Sequence, residues 1–533
     1  MARALAALVL VAATAAWLVL VSGGSDADPR TPAGIPGLPP PFLGTAVVGD
    51  GGMTAAVDAY GDVVDLRPSP AGPALLTVPT ARQVAGTVAP EMAIVPRLRL
   101  GDGRSLPFWR ADSVTQRYLP GTNVLVTTAR FGELKASVTY AAGESSLACL
   151  TRVTTGDGEA GGRAESAEQR GRAAVVRIHF PPRADGGTEE HLRCDEPTAR
   201  AALKAAARSD KRWLATPPLA AAPPWAARMY GRSLLVLRAL TDSHTGAVAA
   251  GARDGWAYVW PRDAATAALA LRAAGHTAEA RRAARFLRGL DLGAAARFHG
   301  DGSPVAGRAS QGDAAGWAAI AAEQARLTSG ARPTAPHEGD AVAADYQEKG
   351  AGDYLGNAIA ATALDSRAER RAAAERISRA FGSPGGLDRI AHDPGSGVDS
   401  AAAWAVRPFV LPGLYPAARA SLRGLLAGGG RLGIVPSADW PDRDPWTAPT
   451  ACSAWAFAAL ARADVRSGHT ALARTDRRAA LRLLADLRRA ATPAGTLPER
   501  VDARTGVARS TTPLAWSHAF AVLALRELWP PTG

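Results

Sequence analysis

Aromatic and charged residues stand directly ahead of an alanine-rich run in the stretch "GWAYVWPRDAATAALAL". Trp256, Tyr258 and Trp260 offer flat apolar faces, and Arg262 with Asp263 offers hydrogen-bond donors and acceptors. Sugars bind to such a mixture, because their C–H faces stack on aromatic rings while their hydroxyls bond to charged groups. The stretch predicts either a sugar pocket in front of a helix or, since Asp is a favoured N-cap residue, only the start of that helix.

Two other loops each carry one prominent carboxylate. Glu348 lies in "VAADYQEKGAGDYLGN", and Glu499 lies in "TLPERVDARTGVARSTTPLAWSHAF". Hydrolysis of a glycosidic bond needs two carboxyl groups: an acid that protonates the leaving oxygen, and a base or nucleophile on the other side of the sugar. A single loop glutamate is usually a solvated surface charge. The prediction of a glycosidase therefore depends on the three loops together.

The region after about residue 198 is rich in Ala, Leu and Arg, with apolar residues three and four apart, as in "WAARMYGRSLLVLRALTD" and "RRAALRLLADLRRAA". This spacing predicts helices, and roughly twelve of them can be counted at even intervals. Such a series favours a closed ring of helical hairpins. The loops at one end of a ring converge on one cavity, which is where functional residues tend to lie.

The region before residue 198 has a different residue pattern. Short runs such as "TNVLVTTARF", "ELKASVTYAAG" and "AAVVRIHF" alternate apolar and polar residues, which predicts strands of an antiparallel sandwich. A Pro/Gly-rich stretch ahead of them predicts a tether. The expected organisation is an N-terminal segment (1–27), a linker (28–41), a β-sandwich (42–197), a second linker (198–223) and a helical domain (224–533).

The N-terminal segment "MARALAALVLVAATAAWLVLVSGG" has a cationic start and about 18 apolar residues. It predicts export, through either a cleaved signal peptide or an uncleaved membrane anchor, with the rest of the chain outside the membrane. The expected location is therefore secreted or membrane-anchored, with the catalytic domain extracytoplasmic.

Composition limits the other partners. The net charge is +12, but the arginines are dispersed among Glu and Asp, so nucleic acid is not an expected partner. The sequence has three cysteines, Cys149, Cys194 and Cys452, and this small and odd number does not predict a disulfide framework. A bond between Cys149 and Cys194 is permitted in an exported protein and stays open. No cysteine spacing and no paired histidine spacing predicts a metal site, and no cofactor is expected.

The three loops resemble, in the same order, those of glycoside hydrolase family 15, the glucoamylase family. "YVWPRDA" resembles its Y-x-W-x-R-D-[SA] segment, "DYQEKGAGDYLGNAIA" its D-L-W-E-E segment, and "ERVDARTGVARSTTPLAWSHA" its E-Q-x-D-x-x-x-G and L-T-W-S-x-A segments. "SQGDAAGW" and "RDPWTAPTACSAWAFAAL" are similar to two further barrel loops. The similarity covers about residues 224–528.

This resemblance implies an α+β multidomain fold, with the N-terminal antiparallel β-sandwich of bacterial members followed by an (α/α)6 helical barrel. It also implies an exported, inverting, exo-acting α-glycosidase that hydrolyses α-linked glucosides from the non-reducing end of an oligosaccharide. Glu348 falls on the general acid and Glu499 on the general base. An inverting pair is held about 6.5–9.5 Å apart to admit a water molecule.

Further residues match sugar-binding positions of the family. Arg262 and Asp263 correspond to the residues that grip the terminal sugar, and Trp260 and Trp516 correspond to aromatic walls. Asp345 corresponds to a position beside the acid that influences its protonation.

Three residues of the last loops complete the set. Ser510 corresponds to a hydroxyl that orients the base through one hydrogen bond. Trp446 is either a sugar platform or a residue that packs at a helix start. His518, at helical spacing inside "WSHAFAVLAL", is interpreted as a packed residue and not as an acid–base group.

The sequence also departs from the family. Gln347 replaces the Trp before the acid, Lys349 replaces the second Glu after it, and Trp256 stands where a Tyr is usual. The segment "GIVPSA" replaces G-R-Y-P-E-D and lacks its arginine, tyrosine and acids. These changes alter the leaving-group side of the pocket.

Two alternatives to the glycosidase remain. A disaccharide phosphorylase replaces the base with phosphate-binding groups, and Glu499 argues against it. A non-catalytic, cell-surface glycan-binding protein is compatible with the altered segments. The glycosidic linkage and the oligomeric state stay open.

Overall fold

The computed structural model describes residues 34–79, 92–143, 145–155, 175–179, 192–193, 196–215, 217–253, 255–327, 344–348 and 352–531. Strands build the N-terminal part, and helices build most of the remainder. The N-terminal segment 1–27 lies outside the described residues. Among the helices that are described, none is long and apolar enough to cross a membrane.

The β-rich part forms three sheets from the strands of its described residues. Their orders are β1-β2-β3-β4, β12-β10-β9-β8-β7 and β11-β5-β6. The strands are β1 (Gly44–Gly49), β2 (Thr54–Asp58), β3 (Val63–Arg67), β4 (Leu76–Thr77), β5 (Val95–Arg99), β6 (Ser105–Pro107), β7 (Ser113–Tyr118), β8 (Leu125–Phe131), β9 (Leu134–Ala142), β10 (Leu147–Thr155), β11 (Val175–His179) and β12 (Leu192–Arg193).

Antiparallel pairing dominates these sheets, as the alternation predicted, although β10 and β12 pair in parallel. Strand β7 alternates exposed and buried residues, so one face turns inward. Two tyrosines then join the five-stranded sheet to the four-stranded one. The Tyr118 hydroxyl donates to the Val47 carbonyl at 2.7 Å, and the Tyr140 hydroxyl donates to the Gly61 carbonyl at 3.0 Å.

The sequence left open whether Cys149 and Cys194 form a disulfide, and the structure answers part of this question. Cys149, on β10, is disulfide-bonded, whereas Cys452 is free and buried in the helical part. Cys194 lies outside the described residues.

Twelve α-helices lie between residues 196 and 528 of the described part. They are α1 (Glu196–Trp213), α2 (Pro224–Leu240), α3 (Pro261–Ala274), α4 (Thr277–Arg288), α5 (Ala314–Gln324), α6 (Leu355–Ala361), α7 (Arg367–Phe381), α8 (Ala402–Val406), α9 (Tyr415–Gly428), α10 (Thr447–Arg466), α11 (Thr470–Ala490) and α12 (Ala515–Leu528). The helical prediction is confirmed, while the closed barrel and the domain boundaries stay predictions.

Helix α1 falls in the segment that the sequence analysis assigned to the second linker. It packs against β9 and β10, and its Asp210 joins it to both parts of the chain. One carboxylate oxygen accepts from the Asn123 backbone N–H at 2.7 Å, and the other pairs with Arg238 of α2 at 2.6 Å. The linker is therefore a helix that bridges the β-rich and helical parts.

A small three-stranded sheet interrupts the helices and was not predicted. It consists of β13 (Gly382–Ser383), β14 (Gly386–Ile390) and β15 (Asp393–Val398), in that order. The segment is rich in Gly and Asp and lacks the alternation that identified the other strands. It brings Arg389 towards the loop that precedes α6.

Small residues allow the helices to approach closely. Gly316 of α5 faces α6, and a Cβ built on it would lie 2.0 Å from the Ala360 carbonyl oxygen. Any side chain at residue 316 would therefore separate these two helices, whose preceding loops both belong to the candidate site.

We expect Gly316→Ala to lower the free energy of unfolding by about 1–3 kcal/mol, because the methyl group forces backbone movement. The matched control is Gly231→Ala in α2, where a Cβ would meet nothing within 4 Å. The control should be neutral or stabilise the protein by up to about 1 kcal/mol through helix propensity. Chemical denaturation followed by circular dichroism measures both, and equal effects would contradict the close contact.

Candidate functional site

The first candidate loop ends where helix α3 begins. Trp260 is the N-cap residue and Pro261 occupies the first helical position, where a proline loses no hydrogen bond. Asp263 thus lies inside the first turn, so the interpretation of Asp263 as the N-cap is wrong. Arg262 and Asp263 therefore extend from a regular helix and not from a loop.

Arg262 is held in a buried ion pair. Its Nη1 lies 2.7 Å from an Asp313 carboxylate oxygen and donates to Gln311 Oε1 at 3.1 Å. The guanidinium also lies over the Trp516 ring, 4.7 Å from its centroid. Asp313 and Gln311 belong to the "SQGDAAGW" loop, whose individual residues the sequence analysis did not assign. An arginine fixed by three partners presents a rigid surface to a ligand.

Asp263 is buried beside this pair and has an altered protonation equilibrium. Burial, together with the negative charges of Glu499 and Asp313, raises the pKa of Asp263 to about 7 against the lowering effect of Arg262. The carboxyl is therefore partly protonated near neutral pH. It can both donate to and accept from a hydroxyl.

Glu499 is fixed by its backbone and by its side chain. Its N–H donates to the Thr511 carbonyl at 2.9 Å, and its carbonyl accepts from the Thr447 N–H at 3.0 Å. The Ser510 hydroxyl donates to Glu499 Oε2. This is the contact that the sequence analysis expected of Ser510, and it sets the direction of the carboxylate.

Glu348 lies in a tight turn. Its backbone is left-handed, with φ of 58°, and its N–H donates to the Asp345 carbonyl at 2.9 Å. A left-handed residue other than Gly costs of the order of 1 kcal/mol and points to a constrained site. The side chain is about one-third exposed and forms an ion pair with Arg308.

Arg308 connects the surroundings of the two glutamates. Besides its contact with Glu348, it lies within electrostatic range of Glu499. Burial lowers the pKa of Arg308, and the positive charge of Arg297 lowers it further, whereas Glu499 raises it. Both candidate carboxylates thus lie near one guanidinium. The distance between them stays a prediction.

A buried network supports the loop of Glu348. The Tyr346 hydroxyl donates to Asp399 at 3.0 Å, and the Gln347 amide donates to the same carboxyl group at 2.8 Å. Ser437 donates to the amide oxygen of Gln347 at 3.2 Å. Gln347, a departure from the family, is therefore buried and bonded on both sides of its amide.

Asp345 lies beneath the same loop and pairs with a residue of the unpredicted sheet. Arg389 lies 3.4 Å from the Asp345 carboxylate and 2.8 Å from that of Asp439. Asp439 directly follows the "GIVPSA" segment, which lacks the family's arginine and acids. An arginine and an acid are thus present beside this segment, but they come from other positions.

The aromatic candidates have separate environments. Trp516 is buried, with its ring 6.0 Å from that of Tyr346 and 5.5 Å from that of Phe520. Trp446 is the N-cap residue of α10, and its ring meets Trp440 edge-on at 5.0 Å. Trp446 therefore lies at a helix start, and its role as a packing residue or as a sugar platform stays a prediction.

His518 is a packed residue, as predicted. Its Nε2 accepts from the Leu497 N–H at 2.9 Å, and its Nδ1 lies 2.9 Å from the Ser233 hydroxyl. Burial lowers the pKa of His518 to about 3, so the ring stays neutral.

Sequence reasoning missed two arginines at this site. Arg297 lies 4.8 Å from the Tyr258 ring centroid and 5.5 Å from that of Trp260, and Arg308 lies 6.0 Å from Trp260. The position of Arg308 just ahead of the "SQGDAAGW" loop was the only available signal. Within the described residues, no three His, Cys, Asp or Glu side chains are grouped as a metal site.

The network around Asp399 generates a pH-dependence of stability. Burial raises the pKa of Asp399 to about 7, above its ordinary value of 3.8, so its protonation favours the folded state. This stabilisation is complete below about pH 3.8 and is lost as the pH rises through 7. Between pH 5 and 8 the melting temperature of Asp399→Asn should fall by a few degrees less than that of the wild type. The exposed Asp291→Asn should behave as the wild type, and identical slopes in all three would contradict the burial effect.

Comparison with known proteins identifies the fold. No sequence-family model and no curated protein sequence matches the chain. A bacterial glucoamylase complexed with acarbose matches 95% of this chain and 96% of its own, at 13% identity and a TM-score of 0.62. A glucoamylase from Saccharomycopsis fibuligera matches 59% of this chain and 97% of its own, at 14% identity and a TM-score of 0.46.

A family 15 glucoamylase from Hypocrea jecorina matches 57% of this chain and 72% of its own, at 17% identity and a TM-score of 0.43. The bacterial protein is the informative one, because its match extends over both the β-rich and the helical parts. The chain therefore has a glucoamylase-like fold.

Proposed function

We propose that the protein is an exported, inverting, exo-acting α-glycosidase that hydrolyses α-linked glucosides from the non-reducing end, and that its helices close into an (α/α)6 barrel. One observation carries the proposal. Glu348 and Glu499, far apart in the chain, both lie within the electrostatic range of Arg308. The bacterial structure with this fold has acarbose bound, which supports an oligosaccharide as the ligand here.

Glu499 is the base of this reaction. Its backbone is bonded on both sides, and Ser510 directs its carboxylate. Glu499 removes a proton from water as the water attacks the anomeric carbon, and the bond to the leaving oxygen breaks.

Glu348 is the acid and gives its proton to that leaving oxygen. In the structure its carboxylate is paired with Arg308, which favours the ionised form. The acid therefore has to part from Arg308, or the pair has to loosen, before Glu348 can carry a proton. The side chains of Glu348 and Arg308 are each about one-third exposed, so a ligand can reach them.

Arg262 and Asp263 bind the terminal sugar, and Trp260 and Trp516 enclose it. The buried pair of Arg262 with Asp313 fixes the donors before the sugar arrives. Binding then spends little free energy on ordering side chains. The partly protonated Asp263 accommodates a hydroxyl in either direction.

Export is supported by the cationic and apolar segment at residues 1–27 and by the disulfide at Cys149. Disulfides persist in oxidising compartments outside the cytosol. We therefore place the protein outside the cytoplasm, either secreted or anchored by this segment.

A glycan-binding protein without catalysis is the second candidate. The ion pair between Glu348 and Arg308 favours it, because a carboxylate held by a guanidinium binds a proton poorly.

Replacement of the base separates these two functions. We expect Glu499→Gln to lower kcat on maltotriose by about 10²–10⁴-fold, since this is what a positioned base contributes, while maltotriose affinity changes little. Glu323→Gln, on an exposed glutamate that pairs with Arg370, is the control and should keep wild-type kcat.

Anomer-resolved NMR of the released sugar accompanies the kinetics. Wild-type protein that binds maltotriose and never turns it over would be a binding protein. Release of product with retained configuration would exclude the water-mediated mechanism.

The contact between Ser510 and Glu499 yields a finer prediction. Ser510→Ala should reduce kcat by about 10-fold or more, because the base loses one charge-assisted hydrogen bond, with little change in KM. Ser510→Thr keeps the hydroxyl and should recover most of the rate. A loss of equal size in both variants would indicate a packing defect in place of an orienting role.

A further inference from the structure

Two arginines lie against one aromatic ring beside the candidate acid. The guanidinium carbons of Arg297 and Arg308 are 5.5 and 6.0 Å from the Trp260 ring centroid. Arg308 is also the ion-pair partner of Glu348. The two cations are close enough for the charge of Arg297 to lower the pKa of Arg308.

The negative charge around this pair is incomplete. Elsewhere in the site each arginine has a carboxylate: Arg262 pairs with Asp313, and Arg389 pairs with Asp345 and Asp439.

Arg297 differs from these because it forms no ion pair with a carboxylate of the described residues. Its Nη1 donates to the Gly255 carbonyl at 3.3 Å, and its guanidinium faces the Tyr258 and Trp260 rings. Its Nε is buried without a hydrogen-bond partner among the described residues, as are those of Arg262 and Arg389. Of these two neighbouring guanidinium groups, that of Arg308 has Glu348 and Glu499 near it, whereas that of Arg297 forms no ion pair within the described residues.

Such an arrangement is unfavourable unless an anion completes it. Like charges repel, and a buried N–H of a cation without a partner costs free energy. Arginine pairs on an aromatic surface are suited to the planar oxygens of a carboxylate or to a phosphate, which they bind through several charge-assisted hydrogen bonds. The charge and the free donor thus point to an acidic ligand group.

The chemistry of the acid locates that group on the substrate. An acid has to come within hydrogen-bond distance of the leaving oxygen. Arg308 touches Glu348, so a group bound to Arg308 lies beside the leaving oxygen that Glu348 protonates.

We propose, on the basis of the proposed function, that the substrate carries an acidic group on its leaving unit, a carboxylate or a phosphate, which Arg297 and Arg308 bind. The bound anion replaces Glu348 as the partner of Arg308. Glu348 is then free to take up a proton and act as the acid. A substrate with an acidic leaving unit is therefore bound more tightly and also completes the catalytic pair.

Matched substrates test this selectivity. Maltitol and maltobionate are both α-glucosides with an open-chain leaving unit, which ends in a neutral alcohol in one and in a carboxylate in the other. We expect kcat/KM to be about 10-fold or more higher for maltobionate, as a charge-assisted hydrogen bond implies. Maltose and maltose 1-phosphate form the second pair. A larger acidic-to-neutral ratio of kcat/KM in the maltobionate pair indicates a carboxylate site, and a larger ratio in the maltose 1-phosphate pair indicates a phosphate site.

Three arginine variants connect the selectivity to the site. Arg297→Gln should bring the maltobionate to maltitol ratio to within about twofold of one, and Arg297→Lys, which keeps the charge but loses the planar fork, should leave an intermediate ratio. Arg104→Gln, on an exposed side chain of the β-rich part, is the control and should keep the wild-type ratio.

The outcomes separate this inference from the proposed function. Hydrolysis of all four compounds without an acidic preference, or a preference that survives in Arg297→Gln, overturns the inference and leaves the glycosidase. If none is hydrolysed, calorimetry decides. Tighter binding of either acidic compound than of its neutral partner, lost in Arg297→Gln, keeps the anion site and rejects hydrolysis, and equal or absent binding overturns the inference as well.

Discussion

The buried ion pair between Arg262 and Asp313 is the interaction on which the candidate site depends. It joins the first turn of α3 to the loop before α5, and the Trp516 ring lies over the guanidinium. Two charges taken out of water are stable together, but either one alone would be left uncompensated at a cost of several kcal/mol. The pair therefore fixes the relative position of two loops, and Asp263 follows because it is the next residue of the same helical turn. The close contact at Gly316, in the first turn of α5, extends this constraint to α6.

The two candidate carboxylates are held in different ways. Glu499 has backbone hydrogen bonds on both sides and a hydroxyl on its side chain, so its position is determined locally. Glu348 lies in a left-handed turn, and its side-chain position depends on one partly exposed arginine. A base has to hold one water in one direction, which a rigid carboxylate does well. An acid has to exchange its proton with solvent in each cycle, and a partly exposed side chain with a replaceable partner is suited to that task.

Sequence patterns predicted the elements whose burial imposes a period. The strands of the β-rich part and the long helices repeat at two and at 3.6 residues because one face of each is buried. Helix α1 was not predicted, because its segment was assigned to a linker. The sheet β13–β15 was not predicted either, because short glycine-rich strands have no alternation of apolar and polar residues. Loop motifs identified Arg262, Asp263 and Glu499 with their neighbours. Arg297 and Arg308 could not be identified in this way, since the chain has many arginines and only tertiary contacts distinguish a pocket arginine from a solvated one.

The departures from the family motif acquire a physical meaning from these contacts. A replacement of Trp by Gln at residue 347 suggests, on sequence alone, an altered leaving-group side. In the structure the Gln347 amide donates to Asp399 and to the Tyr346 hydroxyl, and its oxygen accepts from Ser437. A buried amide is costly unless it is bonded, and a polar network stabilises a loop only when its members are satisfied together. The network therefore accounts for the polar residue at position 347: the loop that carries Glu348 keeps its conformation because the nitrogen and the oxygen of the Gln347 amide both have partners.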